Sequence, residues 1–169
     1  PYPDGQPGFY FVRLRYVDNI EAILEAERQQ RRLLVEEQMT LPDGRQVQVA
    51  HSYLDMGDIQ HAFDGDPTTL IRTYEANPLR IRLTFSAPEV IQTLTFRVGG
   101  VPTRITVQLW APRAVEAAVV SQEVGETPLP REVTLSLPAP QEVLRMEIEV
   151  LNVRDGEPAH VHLWEVQWR

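Results

Sequence analysis

The chain has 169 residues, 43% of them apolar, which is enough for one domain with a sizeable core. Its formal charge is −8, every basic residue is arginine, and there is no cysteine. This composition excludes a basic nucleic-acid surface, disulfides, thiolate metal sites and thiol catalysis. No run of about 18 apolar residues is available to cross a membrane as a helix, so no membrane insertion is expected of this piece. It opens on Pro1 rather than methionine, as expected of a piece of a longer protein.

In chain order, Phe9 to Val17 is aromatic-rich and alternating, and reads as a strand. Asp18 or Asn19 can cap a helix running to about Arg32, with Ile20, Ile23 and Leu24 as its apolar face and Glu27 and Arg31 as an i,i+4 pair. Pro42-Asp43-Gly44 separates two part-alternating runs, 33–41 and 45–53, and predicts a β-hairpin. From about residue 51 the chain reads as strands. Alternation marks 79–85, 94–98, 105–109, 133–137 and 144–150 as half-buried. Prolines 88, 102, 112, 128, 130, 138, 140 and 158 fall between or beside these runs and read as breaks. Residues 114–120 fit helix or strand equally. The expected fold is mainly β: a jelly-roll β-sandwich over 51–169, with an N-terminal strand, helix and hairpin over 1–50.

Two segments carry possible chemistry. His61-Ala-Phe-Asp-Gly-Asp-Pro-Thr-Thr69 gathers two carboxylates, two hydroxyls and a glycine turn; Val161 to Trp168 carries Glu165 within a closing strand. Oxygen donors of this kind suit a hard cation such as calcium. The same Asp64-Gly65-Asp66 also reads as a plain turn. Glu165 shares the alternation of Val161 and Leu163, so on an inward face it needs a partner, either an ion or an arginine such as Arg72. His160 and His162 lie two apart and could face one way, but two histidines without a third ligand make a poor zinc site.

The stretch Ala62 to Thr73, with Leu79 to Phe85, Leu144 to Val150 and Val161 to Trp168, resembles the discoidin, or coagulation factor 5/8 C-type, domain. That group shares a galactose-binding-like jelly roll with the family 32 carbohydrate-binding modules. The resemblance covers about two thirds of the chain. It implies a structural calcium held by the side chains of Asp64 and Glu165, by Thr69, and by the backbone carbonyls of His61, Asp66 and Trp164. For sugar it implies Arg104 and His160 as contacts; Arg72, Tyr74 and Trp110 are added as residues of the same rim or an aromatic platform. Ile71 departs from the family's tryptophan, and Trp110-Ala-Pro-Arg113 stands in place of its usual turn.

More loosely, Tyr10 to Asn19, the helix and hairpin, and Glu75 to Pro78 resemble the soluble tail of bacterial membrane glycosyltransferase-like proteins. No catalytic motif such as G-x-S-x-G or H-E-x-x-H is present. The expected function is a non-catalytic carbohydrate-binding module on the extracellular or periplasmic face, tethered to the membrane through the remainder of a longer parent chain. The alternative is an interaction domain that docks on a parent enzyme or partner without binding sugar. A membrane-surface binder is a third reading, with no exposed apolar and basic spikes to support it.

Overall fold

The computed structural model describes residues 19–156 and 158–169. The strand expected over 9–17 lies outside them. The first element is helix α1 (Ile20–Arg31). Asn19 caps it, its side chain accepting the Ala22 amide at 3.0 Å. Glu25 pairs with Arg28 at 3.3 Å, and Glu27 with Arg31 at 3.6 Å. The apolar face expected of this helix is present but not buried: Ile20, Ile23 and Leu24 are all exposed.

The hairpin forms as expected, from β1 (Leu34–Thr40) and β2 (Gln46–Ser52). Its turn is closed by Gly44 donating to the Leu41 carbonyl at 2.8 Å, with Gly44 at φ +86°. The hairpin is built into the sandwich, because β2 pairs with the first half of β5 (Leu79–Gly100), Val47 lying opposite Phe85 and His51 opposite Ile81. The division drawn at residue 50 falls inside β2.

The architecture is organised by one long ribbon. β5 runs antiparallel to β8 (Thr127–Asn152), with Leu79 opposite Val150 at one end and Gly100 opposite Thr127 at the other. The first half of β5 is flanked by β2. The matching half of β8 is flanked by β6 (Thr103–Trp110), which in turn carries β7 (Ala118–Val124). The second half of β5 pairs with β10 (Glu165–Trp168). A separate three-stranded sheet has the order β3 (Leu54–Met56), β4 (Ile71–Thr73), β9 (His162–Leu163).

Both halves of the ribbon feed one core. Ile81, Leu83, Ile105, Val107 and Ile148 come from the first half and its neighbours; Leu94, Phe96, Val98, Leu135 and Val166 come from the second. The ribbon therefore bends so that its halves face each other. The result is the expected jelly-roll β-sandwich with one N-terminal helix.

Of the prolines read as breaks, Pro102, Pro112 and Pro158 do fall between strands, whereas Pro88, Pro128, Pro130, Pro138 and Pro140 sit within the continuous strands β5 and β8. The β5–β8 ladder shifts register between Thr84 and Glu89 and between Ile91 and Thr93, where Pro88, Pro138 and Pro140 lie. Proline has no N–H to give a ladder, so it is tolerated where the ladder is already interrupted. The ambiguous stretch 114–120 resolves as coil running into β7, which starts at Ala118.

Near the far end of the ribbon, Gly99 lies against Pro130. A Cβ at Gly99 would stand 2.6 Å from the Pro130 Cα, which is backbone and cannot swing aside. Gly125 has nothing within 4 Å of its would-be Cβ. Gly99→Ala is expected to lower stability by about 1–3 kcal/mol, read as a shifted urea midpoint. Gly125→Ala is expected to be neutral or slightly stabilising. Equal effects at the two positions would contradict the close approach.

Candidate functional site

Two clusters emerge, on different parts of the sandwich. The first joins the Asp64 loop to β10. A 3-10 turn over Ile59–Ala62 is closed by a capping box: Asp58 accepts from Gln60, and the Asp58 amide donates to His61 Nδ1 at 3.2 Å. The chain then turns through Asp64-Gly65-Asp66, with Gly65 at φ +76°. Asp64 Oδ1 accepts the Asp66 amide at 2.8 Å, and Asp66 Oδ1 accepts the amide and hydroxyl of Thr68. The turn reading of the sequence is thus correct as far as it goes.

The geometry goes further at Thr69. Its hydroxyl lies within reach of four acceptors: the His61 carbonyl at 3.3 Å, both Asp64 carboxylate oxygens at 3.1 and 3.0 Å, and the Asp66 carbonyl at 3.0 Å. One hydroxyl has one proton to give, so oxygens are gathered here in excess of the hydrogens available to them.

Glu165 closes the cluster from a hundred residues away. Its Oε2 accepts the Gly65 amide at 3.0 Å. Its Oε1 is buried and has no hydrogen-bond partner among the described residues. The residue as a whole is only 7% exposed. Burial, reinforced by the negative charges of Asp64 and Asp66, pushes it up to about 7 against the backbone hydrogen bond from Gly65.

Glu165 does not lie on the face expected for it. The closing segment is broken at Trp164, whose amide donates to the Arg97 carbonyl at 3.0 Å. The break shifts the alternation, so Val161, Leu163 and Val166 are buried while Glu165 lies across the ladder from Arg97. The Asp64 loop covers it there. No arginine among the described residues satisfies it. Arg72 is held by Asp55, and no ion pair joins Arg97 to Glu165, so the proposed Arg72–Glu165 pair does not form. Among the described residues no group of three or more His, Asp or Glu side chains stands ready to hold a metal. A cation here would need the hydroxyl and the carbonyls as well as the two acids.

The second cluster lies on the three-stranded sheet. Ile71 and Thr73 of β4 are buried, so Arg72 and Tyr74 alternate to the outside. Arg72 makes a bidentate pair with Asp55, Nε to Oδ1 at 2.8 Å and Nη2 to Oδ2 at 2.9 Å. The Arg72 guanidinium holds the Asp55 carboxyl below its usual range. His160 Nδ1 is 2.7 Å from the Thr73 carbonyl, which fixes that nitrogen as a donor, and 3.8 Å from Asp55. His162 is the cross-strand neighbour of Arg72; burial, then the Arg72 charge, lowers it. Tyr74 stands edge-on to Tyr53, ring centroids 6.1 Å apart.

Of the residues expected to meet a sugar, Arg72, Tyr74 and His160 are therefore brought together. Arg104 and Trp110 are not. They begin and end on β6, six residues and about 20 Å apart. Arg104 is paired with Glu123, its cross-strand partner, at 3.0 Å. Trp110 is covered on one face by the guanidinium of Arg145, 4.0 Å from the ring centroid. Trp168 is packing, edge-on to Phe63 and Phe85. Asp55 and Tyr53 were not legible as site residues: only the β3–β4 pairing brings them to Arg72 and Tyr74, and nothing in the local sequence marks it.

No family model and no curated protein matches the chain. Solved structures do. A family 32 carbohydrate-binding module from Clostridium perfringens NanJ, in complex with galactose, matches with TM-score 0.58 and 13% identity over 79% of this chain and 98% of that one. A chitosan-binding module from a Paenibacillus sp. IK-5 chitosanase/glucanase matches with TM-score 0.54 and 14% identity over 72% and 92%. A Ruminococcus gnavus GH29 fucosidase in complex with fucose matches with TM-score 0.55 and 10% identity over 72% of this chain; the chain spans 24% of its length. The chain thus shares the galactose-binding-like jelly-roll fold of the family 32 carbohydrate-binding modules and discoidin domains.

Proposed function

We propose that the chain is a non-catalytic carbohydrate-binding module of a longer protein, with calcium holding its Asp64 loop to β10. The observation that carries the sugar reading is the convergence of Arg72, Asp55, His160 and Tyr74 on one exposed face. Sugars are recognised by planar donors and acceptors that meet adjacent hydroxyls, beside an aromatic ring that covers the apolar side of the pyranose. Arg72 and Asp55 offer a donor and an acceptor in one plane, and Tyr74 is 47% exposed beside them. One solved module of the same fold is in complex with galactose, and that of AlyQ with an unsaturated mannuronic acid.

The calcium reading rests on the buried, unpartnered Glu165 Oε1 and the surplus of oxygens at Thr69. Asp64, Glu165 and the Thr69 hydroxyl would supply side-chain ligands; His61, Asp66 and Trp164 would supply carbonyls. Such a set suits calcium rather than zinc. The ion would neutralise the carboxylates and fix the loop, and it takes no part in contacting sugar.

A second reading is favoured by one observation. Ile20, Ile23 and Leu24 of α1 are exposed together, as on a helix that docks on the remainder of a glycosyltransferase-like parent chain. In either reading we place the domain outside the cytoplasm, tethered through the rest of the protein. Among the described residues no helix is long and apolar enough to cross a membrane.

Glycan-array binding in calcium buffer is expected to give hits that Arg72→Ala weakens by at least about tenfold, with little change in melting temperature because the Arg72–Asp55 pair is partly exposed. A blank array with folded wild-type protein would overturn the sugar reading and leave the docking one.

The metal reading is tested by pH. Without calcium, Glu165 binds a proton in the folded state up to about pH 7, whereas the unfolded chain releases it near 4.5. Its contribution to stability is therefore greatest on the acid side of that window and falls as pH rises through it. Glu165→Gln removes this term. The variant is expected to melt above wild type at about pH 8 without calcium, by a few degrees, and the gap should close by about pH 5. His162, whose lowered value pulls the opposite way, is common to both proteins. Millimolar calcium should reverse the order at about pH 8 by stabilising only the wild type. A wild type unmoved by calcium and chelator alike would sink the calcium site.

A further inference from the structure

The helix exposes its apolar face, yet its last turns help to form a groove that the sugar reading above does not use. Gln30, Arg31, Leu33, Val35, Tyr53 and Tyr74 line it, around a cavity of about 450 Å³. That is within the range of small-molecule sites, about 300–1,000 Å³.

Three observations indicate that the groove is built rather than incidental. Its two tyrosines are locked to each other: the Tyr74 amide donates to the Tyr53 carbonyl at 2.9 Å, and their rings stand at 81°. Both residues nevertheless remain exposed, 57% and 47%. The helix is fastened at the groove by Arg31, which reaches Glu75 at 2.9 Å as well as Glu27 at 3.6 Å. Glu75 holds this position with φ at +52°, a left-handed conformation that a residue with a side chain adopts at a cost. That backbone twist follows directly after Tyr74. The Arg31–Glu75 pair ties the helix to the residue next to Tyr74, and Arg72 lies two residues before it at the middle of β4.

We infer that the groove between α1 and the Tyr53–Tyr74 pair is an extension of the glycan site that takes further sugar units of a linear oligosaccharide of neutral or amino sugars. This rests on the carbohydrate reading of the Arg72 cluster, with Tyr74 as the shared boundary. Two perpendicular aromatic rings suit a bent run of pyranoses, one stacking on a ring face and the next against a ring edge. Gln30 and Glu27 offer polar groups to the hydroxyls. The charge decides the class. Arg31 is already engaged by two carboxylates, Glu27 and Glu75, and the chain as a whole carries −8. Among the described residues that line the groove, no further cationic group is present to receive a uronic acid or sulfated sugar, while an ammonium on an amino sugar meets net negative charge.

The test is titration calorimetry on the whole chain with glucosamine, galactose, and the linear tetramers of glucosamine, galactose and mannuronate. A glucosamine or galactose tetramer is expected to bind at least about tenfold more tightly than its monomer, the gain of one well-made additional contact region. The mannuronate tetramer is expected to bind more weakly than both. Tyr53→Ala and Arg31→Ala are each expected to bring the tetramer-to-monomer ratio to within about twofold. Monomer binding with a ratio near one in wild type would overturn the groove and leave the Arg72 site standing. So would an unchanged ratio in both variants, or a preference for mannuronate. Failure of every sugar to bind folded wild type would overturn the carbohydrate reading itself, and the groove with it.

Discussion

The bend in the β5–β8 ribbon is the constraint on which everything else hangs. Two strands of 22 and 26 residues pair along nearly their whole length, and their inward residues reach one core only because the ladder gives way around Pro88 and Pro138. Each half then serves as a template. β2 and β6 add to one, β10 to the other, and the loop that precedes β4 is carried to the edge where β10 arrives. The oxygen cluster at Thr69 and the Arg72 patch are both consequences of where that ribbon places its neighbours. Neither is encoded in any single stretch of chain.

This explains which features were legible in the sequence. Alternation identified the paired halves of β5 and β8, because a half-buried strand must alternate whatever its partner. Proline marked breaks correctly at Pro102, Pro112 and Pro158 but misled inside β5 and β8, since the same missing N–H that ends an exposed strand also suits a bulge in a long one, and only the partner strand tells the two apart. The Asp64 loop was legible because a turn needs its own residues in sequence. Glu165 was legible as a residue but not by its face, because the break at Trp164 resets the alternation by one position. Arg104 looked like a sugar contact through a resemblance of motif, and Trp110 like an aromatic platform through its place before a loop; on an extended strand, six residues carry them towards opposite ends. Asp55 and Tyr53 had no local signal, since β3 is three residues long and its pairing is purely tertiary.

Electrostatics runs through the whole molecule in one style. With no lysine, cations here are planar guanidiniums, and most of those on the strands lie across a ladder from an acid. Arg80 faces Glu149, Arg82 faces Glu147, and Arg104 faces Glu123. A planar fork matches a carboxylate across a strand spacing better than a flexible ammonium does. These exposed pairs add little to stability, but they occupy the arginines. An arginine already paired presents few donors to an outside anion, so the acidic character of the chain is not offset by patches of open positive charge on those strands. Glu165 is the exception to the pairing rule: a buried acid among acids.

The contact between Gly65 and Glu165 closes a loop of a hundred residues. Forming such a contact early would require ordering nearly the whole chain at once, and the entropy of closing a loop grows with its length. The Asp64 turn is fastened to the sheet only where β10 pairs with β5, because Glu165 belongs to that strand. During synthesis this makes the turn a late checkpoint. Until residue 165 has left the ribosome, the loop has its own local hydrogen bonds but nothing to hold it to the sheet. Truncation or misfolding anywhere between the two segments would leave it unfastened, whatever the state of its own residues.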